Sequence, residues 1–67
     1  MSWWYNIREG VWVAHKTAVS GVVEFEPTNL DKPFRALAIS RSNIQLSERY
    51  ETLKGAMTAI EKEFRGD

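Results

Sequence analysis

The fold is decided by residues 46–64, LSERYETLKGAMTAIEKEF. Their large apolar side chains recur at steps of four and three residues: Leu46, Tyr50, Leu53, Met57, Ile60 and Phe64. Because this spacing places them on one side of an α-helix, the charged residues between them suit the side that faces solvent. A helix of this length is marginal alone in water, so its apolar side must pack on another element. The segment therefore predicts a C-terminal helix lying on a sheet that the earlier residues form.

Two residues are suitable N-caps for this helix. Ser47 would begin a long helix that includes Tyr50, whereas Thr52 would begin the helix at Leu53 and leave residues 44–50 extended. We favour Thr52 and keep Ser47 as the alternative. The choice decides whether the sheet gains a further extended segment immediately before the helix.

The chain has 67 residues, which is enough for one small domain spanning residues 1–67 and not for two. A domain of this size buries only about 60% of its unfolded surface. Disulfides, metals or oligomerisation often compensate for such a shortfall. The sequence has no cysteine and a single histidine, His15, which excludes disulfides, thiolate metal sites and multi-histidine sites within one chain. We therefore expect no cofactor and no metal, and we expect self-association as a homodimer.

The charge balance is even, with nine basic and nine acidic side chains. Dedicated nucleic-acid binders usually show a basic excess, because neutralising phosphates supplies most of their non-specific affinity. No apolar run approaches the ~18 residues of a membrane-spanning helix, and the N-terminus lacks the basic and apolar regions of a secretory signal. We therefore expect a cytoplasmic protein without a membrane partner.

The N-terminal residues predict a β-hairpin, because residues 3–7 and 11–15 are rich in aromatic and β-branched side chains. Arg8-Glu9-Gly10 suits a three-residue turn. This register gives the side facing the helix Trp3, Tyr5, Ile7, Val11 and Val13. It gives the outer side Trp4, Asn6, Trp12 and Ala14. A two-residue turn at Glu9-Gly10 would instead put Trp12 in the core with Trp3 and leave Val11, Val13 and Trp4 outside. We favour the three-residue turn because it buries the β-branched pair.

The middle of the chain predicts further strands. After a connection at residues 17–21, residues 22–26 alternate, and a proline-bounded loop follows at residues 27–33. Residues 34–40 suit either a strand or a helix capped by Asp31, and we favour the strand because its length fits. The expected fold class is α+β: an antiparallel sheet of about four strands with one C-terminal helix packed on one face.

Catalysis has little support in the sequence. His15 is the only available base for a nucleophilic triad, and no serine is marked as its nucleophile. Glu24 and Glu26 lie at alternate strand positions, close enough for the paired acids of glycoside hydrolysis. Carboxylates at alternate positions, however, usually form the solvent-facing side of a strand. There is no glycine-rich phosphate loop. We expect no enzymatic activity and no small-molecule substrate.

The aromatic residues near the N-terminus are the best candidates for a binding site. Aromatic side chains exposed together on a sheet are typical of a partner surface. The candidate partner-binding residues are Trp4, Asn6, Trp12, Arg8 and Lys16. The sequence thus favours a protein-interaction module that uses the outer side of the sheet. The alternative is a single-stranded nucleic-acid binder in which the same aromatic residues stack on bases.

The segment Tyr50-Glu51-Thr52-Leu53-Lys54-Gly55-Ala56 also carries a resemblance. Its pattern, aromatic-x-Thr-Leu-x-x-Ala, resembles the opening of the closing helix in small phage and mobile-element proteins built from a tryptophan-led antiparallel meander and one helix. Some proteins of similar size and shape inhibit host defence. Others are DNA-binding arms of phage integrases, which are typically basic, unlike this chain. The resemblance implies the same fold and an accessory or inhibitory role, and it implies no functional residue.

Overall fold

The structure is a computed structural model that describes residues 2–16, 19–41 and 43–64. The described residues form five strands and one helix: β1 (Trp4–Asn6), β2 (Val11–Lys16), β3 (Val19–Phe25), β4 (Phe34–Ser40), β5 (Asn43–Tyr50) and α1 (Leu53–Phe64). The strands form a single antiparallel sheet in the order β1-β2-β3-β4-β5. Since α1 packs on one face of this sheet, the predicted α+β fold class is confirmed, with five strands instead of about four.

The additional strand follows from the position of the helix cap. Thr52 Oγ1 accepts a hydrogen bond from the backbone N–H of Gly55 at 3.0 Å, the contact expected of an N-cap residue. The helix therefore begins at Leu53, and the residues before it form β5. The prediction of Thr52 as the cap is confirmed and the Ser47 start is wrong. The prediction that residues 34–40 form a strand is also confirmed.

The register predicted for the first hairpin is wrong. Asn6 pairs with Val11 and Tyr5 with Trp12, so the turn contains four residues, 7–10, instead of three. Asn6 causes the difference, because its side-chain Oδ1 accepts a hydrogen bond from the Glu9 N–H at 3.1 Å. Such a side-chain turn ends β1 at Asn6, so Ile7 belongs to the turn instead of the strand. A shift of one residue exchanges the two faces of β2.

A second correction concerns the start of β3. The sequence predicted a connection at residues 17–21, but residues 19–21 belong to the strand, and residues 17 and 18 lie outside the described part of the chain. Gly21 faces the helix from within β3. A Cβ atom at this position would overlap Cγ2 of Ile60. The glycine thus lets helix and sheet approach more closely than any larger residue would allow.

The core lies between α1 and one face of the sheet. Its buried residues are mostly small on the sheet side and large on the helix side: Ala14, Val23, Ala36 and Ala38 from the strands, and Ala56, Ile60 and Phe64 from the helix. Two long-range hydrogen bonds fix the helix on the side of the first hairpin. Trp3 Nε1 donates to Glu61 Oε2 at 3.0 Å, and Lys16 Nζ donates to the carbonyl oxygen of Phe64 at 3.0 Å. The positive charge of Lys16 suits the negative end of the helix dipole.

Candidate functional site

The sheet has a second face, opposite α1, which we call the open face. Directly opposed residues of antiparallel strands point to the same side of a sheet, so the strand registers identify its members. The middle row of the open face runs across the strands as Trp4, Val13, Val22, Leu37 and Ser47. Four adjacent strands thus contribute apolar side chains to one continuous row.

The rows on either side of this middle row differ in character. At one end of the sheet the row contains His15, Ser20, Ile39 and Ile44. Ile39 is 38% exposed and Ile44 is 66% exposed. At the other end the row contains Asn6, Val11, Glu24, Arg35 and Arg49. The open face therefore has an apolar middle, an apolar extension on β4 and β5, and one charged end.

Trp4 is the largest side chain on the open face and is 48% exposed. Its ring lies against the imidazole of His15, with 5.3 Å between the ring centroids. The Nδ1 atom of His15 is in turn 2.9 Å from Ser20 Oγ. Because the Trp4 ring packs on a histidine that Ser20 positions in turn, the ring loses less conformational entropy when a partner binds.

Both signs of charge occur at the charged end of the open face. Arg49 Nη2 lies 2.7 Å from Glu26 Oε2 in an ion pair, and Arg35 lies directly opposite Glu24 on the neighbouring strand. Arg35 Nη2 also donates to Ser47 Oγ at 3.3 Å. Of the two glutamates considered as paired acids, Glu26 is therefore engaged by an arginine.

The five candidate partner-binding residues do not form one surface. Trp4 and Asn6 lie on the open face as predicted, whereas Trp12 lies on the opposite face. The assignment of Trp12 to the outer face is wrong because the turn is one residue longer than predicted. Its ring packs 4.9 Å from that of Tyr5 and 6.3 Å from that of Phe34, centroid to centroid.

The two basic candidates also lie away from the open face. Arg8 is exposed within the turn between β1 and β2. Lys16 is directed to the helix C-terminus, where it binds the Phe64 carbonyl. Only Trp4 and Asn6 of the predicted set are thus brought together on the surface for which they were proposed.

Sequence reasoning missed most of the apolar residues of this face, which are Val11, Val13, Val22, Leu37 and Ile39. One signal could have identified them. In β3 and β4 consecutive residues are apolar, as in Val22-Val23 and Leu37-Ala38-Ile39. Strands that are apolar on both sides are typical of sheets covered on both faces. In this protein α1 covers only one face of the sheet.

Comparisons of the chain with protein-family models, with curated proteins and with solved structures find no match. Within residues 2–16, 19–41 and 43–64, no three histidine, cysteine or carboxylate side chains cluster in a way that could hold a metal ion. No described helix is long and apolar enough to span a membrane. The function proposed below is therefore inferred from the geometry of the open face.

Proposed function

We propose that this protein is a small, non-enzymatic interaction module that forms a homodimer through its open face. The observation that carries the proposal is the apolar row of Trp4, Val13, Val22 and Leu37, which no element of the described residues covers. An antiparallel sheet that faces water on one side normally alternates apolar residues inside with polar residues outside. This sheet is apolar on both sides, as expected when a second layer packs on it.

A second copy of the chain fits this surface in size. Five strands spaced ~4.8 Å apart give a face about 24 Å wide, and strands of seven residues are about 23 Å long. Because β1 has only three residues and β2 six, the flat area is about 490 Å², and projecting side chains raise the accessible area further. A standard interface buries ~800 Å² on each partner, so the whole open face would be used. Two such faces would pack about 10 Å apart, as in a β-sandwich.

The charges of the open face are compatible with a second copy. A two-fold dimer brings the same surface together twice, so a face of one charge sign would repel itself. The charged end carries Glu24 together with Arg35 and Arg49, and the whole chain has no net charge. The arrangement therefore permits self-association and places the charged residues at the rim.

The resemblance to small phage and mobile-element proteins extends this proposal. We infer that the dimer acts as an accessory protein or as an inhibitor of a larger host protein. For nucleic-acid binding, the alternative considered above, the required aromatic pair is separated, because Trp4 and Trp12 lie on opposite faces of the sheet. We therefore retain protein interaction as the single proposed function.

A matched pair of leucine substitutions tests the dimer. Leu37 lies in the middle row of the open face, whereas Leu30 is 89% exposed in the loop between β3 and β4. By light scattering over a concentration series, the wild-type protein and Leu30→Lys should reach twice the 7.7 kDa mass of one chain. Leu37→Lys should remain a monomer with an unchanged circular dichroism spectrum. A monomeric wild-type protein at every concentration, or a dimeric Leu37→Lys variant, would refute the proposal.

A further inference from the structure

β5 forms one edge of the sheet and has eight residues, whereas β1 at the other edge has three. Among the described residues, no strand pairs with the outer side of β5. An edge strand of this length presents a row of backbone N–H and C=O groups to which another strand can bind. Proteins usually protect such edges by shortening, covering, charging or bulging them. β5 carries Glu48 and Arg49, and its pairing with β4 shifts register between Ala38 and Ile39, yet its length leaves several backbone groups for a further strand.

A groove lies beside β5 on the side of the helix. It has a volume of about 650 Å³ and is lined by Leu46 and Tyr50 of β5 and by Gly55, Thr58 and Ala59 of α1, among others. Gly55, Thr58 and Ala59 are the small residues of its wall, and the longer side chains of Lys54, Lys62 and Glu63 also line it. A strand added to β5 would direct every second side chain to this side of the sheet. The groove would accept small apolar side chains, such as valine or alanine.

A second groove, of about 640 Å³, lies near β5 toward the open face. Its charged lining consists of Lys32, Arg35, Arg49 and Glu48. Arg35 and Arg49 are directly opposed across β4 and β5, and like charges in this position destabilise a sheet. Moreover, the Nη1 group of Arg49 is buried without a hydrogen-bond partner among the described residues. Buried donors of this kind are rare in folded proteins because they lose their hydration without gaining an acceptor. Arg49 Nη2 is already paired with Glu26 Oε2 at 2.7 Å, so an incoming carboxylate would add a further acceptor for the two arginines and reduce the remaining repulsion between them.

From these observations we propose that β5 binds an extended segment of another protein as a sixth strand, and that this segment alternates acidic and small apolar residues. Backbone hydrogen bonds would supply affinity, and the two grooves would bind alternate side chains of the added strand and so provide specificity. The site shares Arg35, Ser47 and Arg49 with the rim of the open face, but strand addition at β5 does not require the dimer. A second copy of β5 fits less well, because Ser47 and Arg49 on its open-face side bring no carboxylate to the arginines.

The test uses a fluorescent peptide of alternating glutamate and valine, about as long as the eight residues of β5. Binding is measured by fluorescence anisotropy at low salt. A lysine–valine peptide of equal length controls for charge, and a glutamate–valine peptide N-methylated at alternate residues controls for backbone pairing. The unmodified glutamate–valine peptide should bind at least about tenfold more tightly than either control. Equal binding of the lysine–valine peptide, or no binding of the glutamate–valine peptide, would overturn the proposal.

Two pairs of protein variants locate the site. Arg35→Gln should weaken binding of the glutamate–valine peptide about tenfold, whereas Arg41→Gln, the same change in the turn after β4, should not. Thr58→Tyr should weaken it by filling the helix-side groove, whereas Ser2→Tyr should not; both wild-type side chains are exposed. If neither Arg35→Gln nor Thr58→Tyr weakens binding, the peptide does not occupy this edge.

Light scattering on the same samples measures dimerisation separately. Peptide affinity that falls as the concentration of the Leu37→Lys variant rises, in which the open-face dimer is removed, would show that β5 pairs with a second copy, and would overturn the proposal.

Discussion

Gly21 of β3 lies directly beneath Ile60 of α1. A Cβ atom at position 21 would overlap Cγ2 of Ile60 and would lie 3.2 Å from Cζ of Phe64. The helix is therefore seated on the one residue of the strand that has no side chain. This contact determines how closely the two layers of the fold approach each other.

Gly21→Ala should lower the free energy of unfolding by about 1–3 kcal/mol, because the added methyl group overpacks the core. Urea denaturation measures the change. The double variant Gly21→Ala/Ile60→Ala should be more stable than the sum of the two single losses predicts, since the smaller residue at position 60 makes room for the new methyl group. Strict additivity would show that the two residues are not in contact.

Thr52→Ala should lower the free energy of unfolding by about 1 kcal/mol, because the Gly55 N–H loses its cap. Thr58 provides the control, since it is exposed within the same helix. Thr58→Ala should leave stability unchanged or raise it slightly, because alanine has the higher helix propensity. Equal losses at both positions would contradict the capping role.

Glu61→Gln should destabilise the fold by about 0.5–1.5 kcal/mol, because the Trp3 indole then donates to a neutral oxygen instead of a carboxylate. Glu63→Gln is the matched control, being an exposed carboxylate on the same helix. Thermal unfolding followed by tryptophan fluorescence should separate the two variants. A larger loss at Glu63 would mean that the hydrogen bond from Trp3 contributes little.

Substitutions of Trp4 and Trp12 should have different consequences, because the two rings lie on opposite faces. Trp12→Ala should destabilise the monomer by about 2–4 kcal/mol, since the ring packs against the core. Trp4→Ala should mainly reduce self-association. Urea denaturation and light scattering on both variants measure these effects. A pure loss of association in Trp12→Ala would contradict the observed register.

Burial raises the pKa of the Tyr50 phenol above its ordinary value of 10.0, and the carboxylates of Glu48 and Glu63 raise it further. Above pH 10 the unfolded chain therefore releases this proton before the folded chain does, which favours unfolding. Stability should be fully retained below pH 10 and should decline as the pH rises toward the raised pKa. Tyr50→Phe should show a smaller decline than the wild-type protein in urea denaturation over this range. An equal decline in the stability of both proteins would contradict the raised pKa of Tyr50.

The helix and the fold class could be predicted from the sequence because they depend on local patterns. The apolar spacing of Leu53, Ile60 and Phe64 and the cap at Thr52 lie within one short segment. The hairpin register could not be predicted from the sequence, because it depends on one side-chain hydrogen bond, from the Glu9 N–H to Asn6 Oδ1. A change of one residue at the turn moved Trp12 from the predicted site to the core side.

The composition of the open face was missed for the same reason. Once Val11 and Val13 were assigned to the core, the outer side of the sheet retained too few apolar residues to indicate a continuous row. The hydrogen bonds of Trp3 and Lys16 to α1 connect residues 58 and 48 positions apart. Contacts over such separations leave no local pattern in a single sequence.

These two long-range contacts have a further consequence for biosynthesis. A chain emerging from the ribosome cannot complete this fold until α1 has been translated, because the hydrogen-bond acceptors for Trp3 and Lys16, Glu61 and Phe64, both lie in that helix. Until then the strands would carry two uncovered apolar surfaces, of the kind to which chaperones bind. Productive folding of these residues is therefore expected to wait until α1 has left the ribosome.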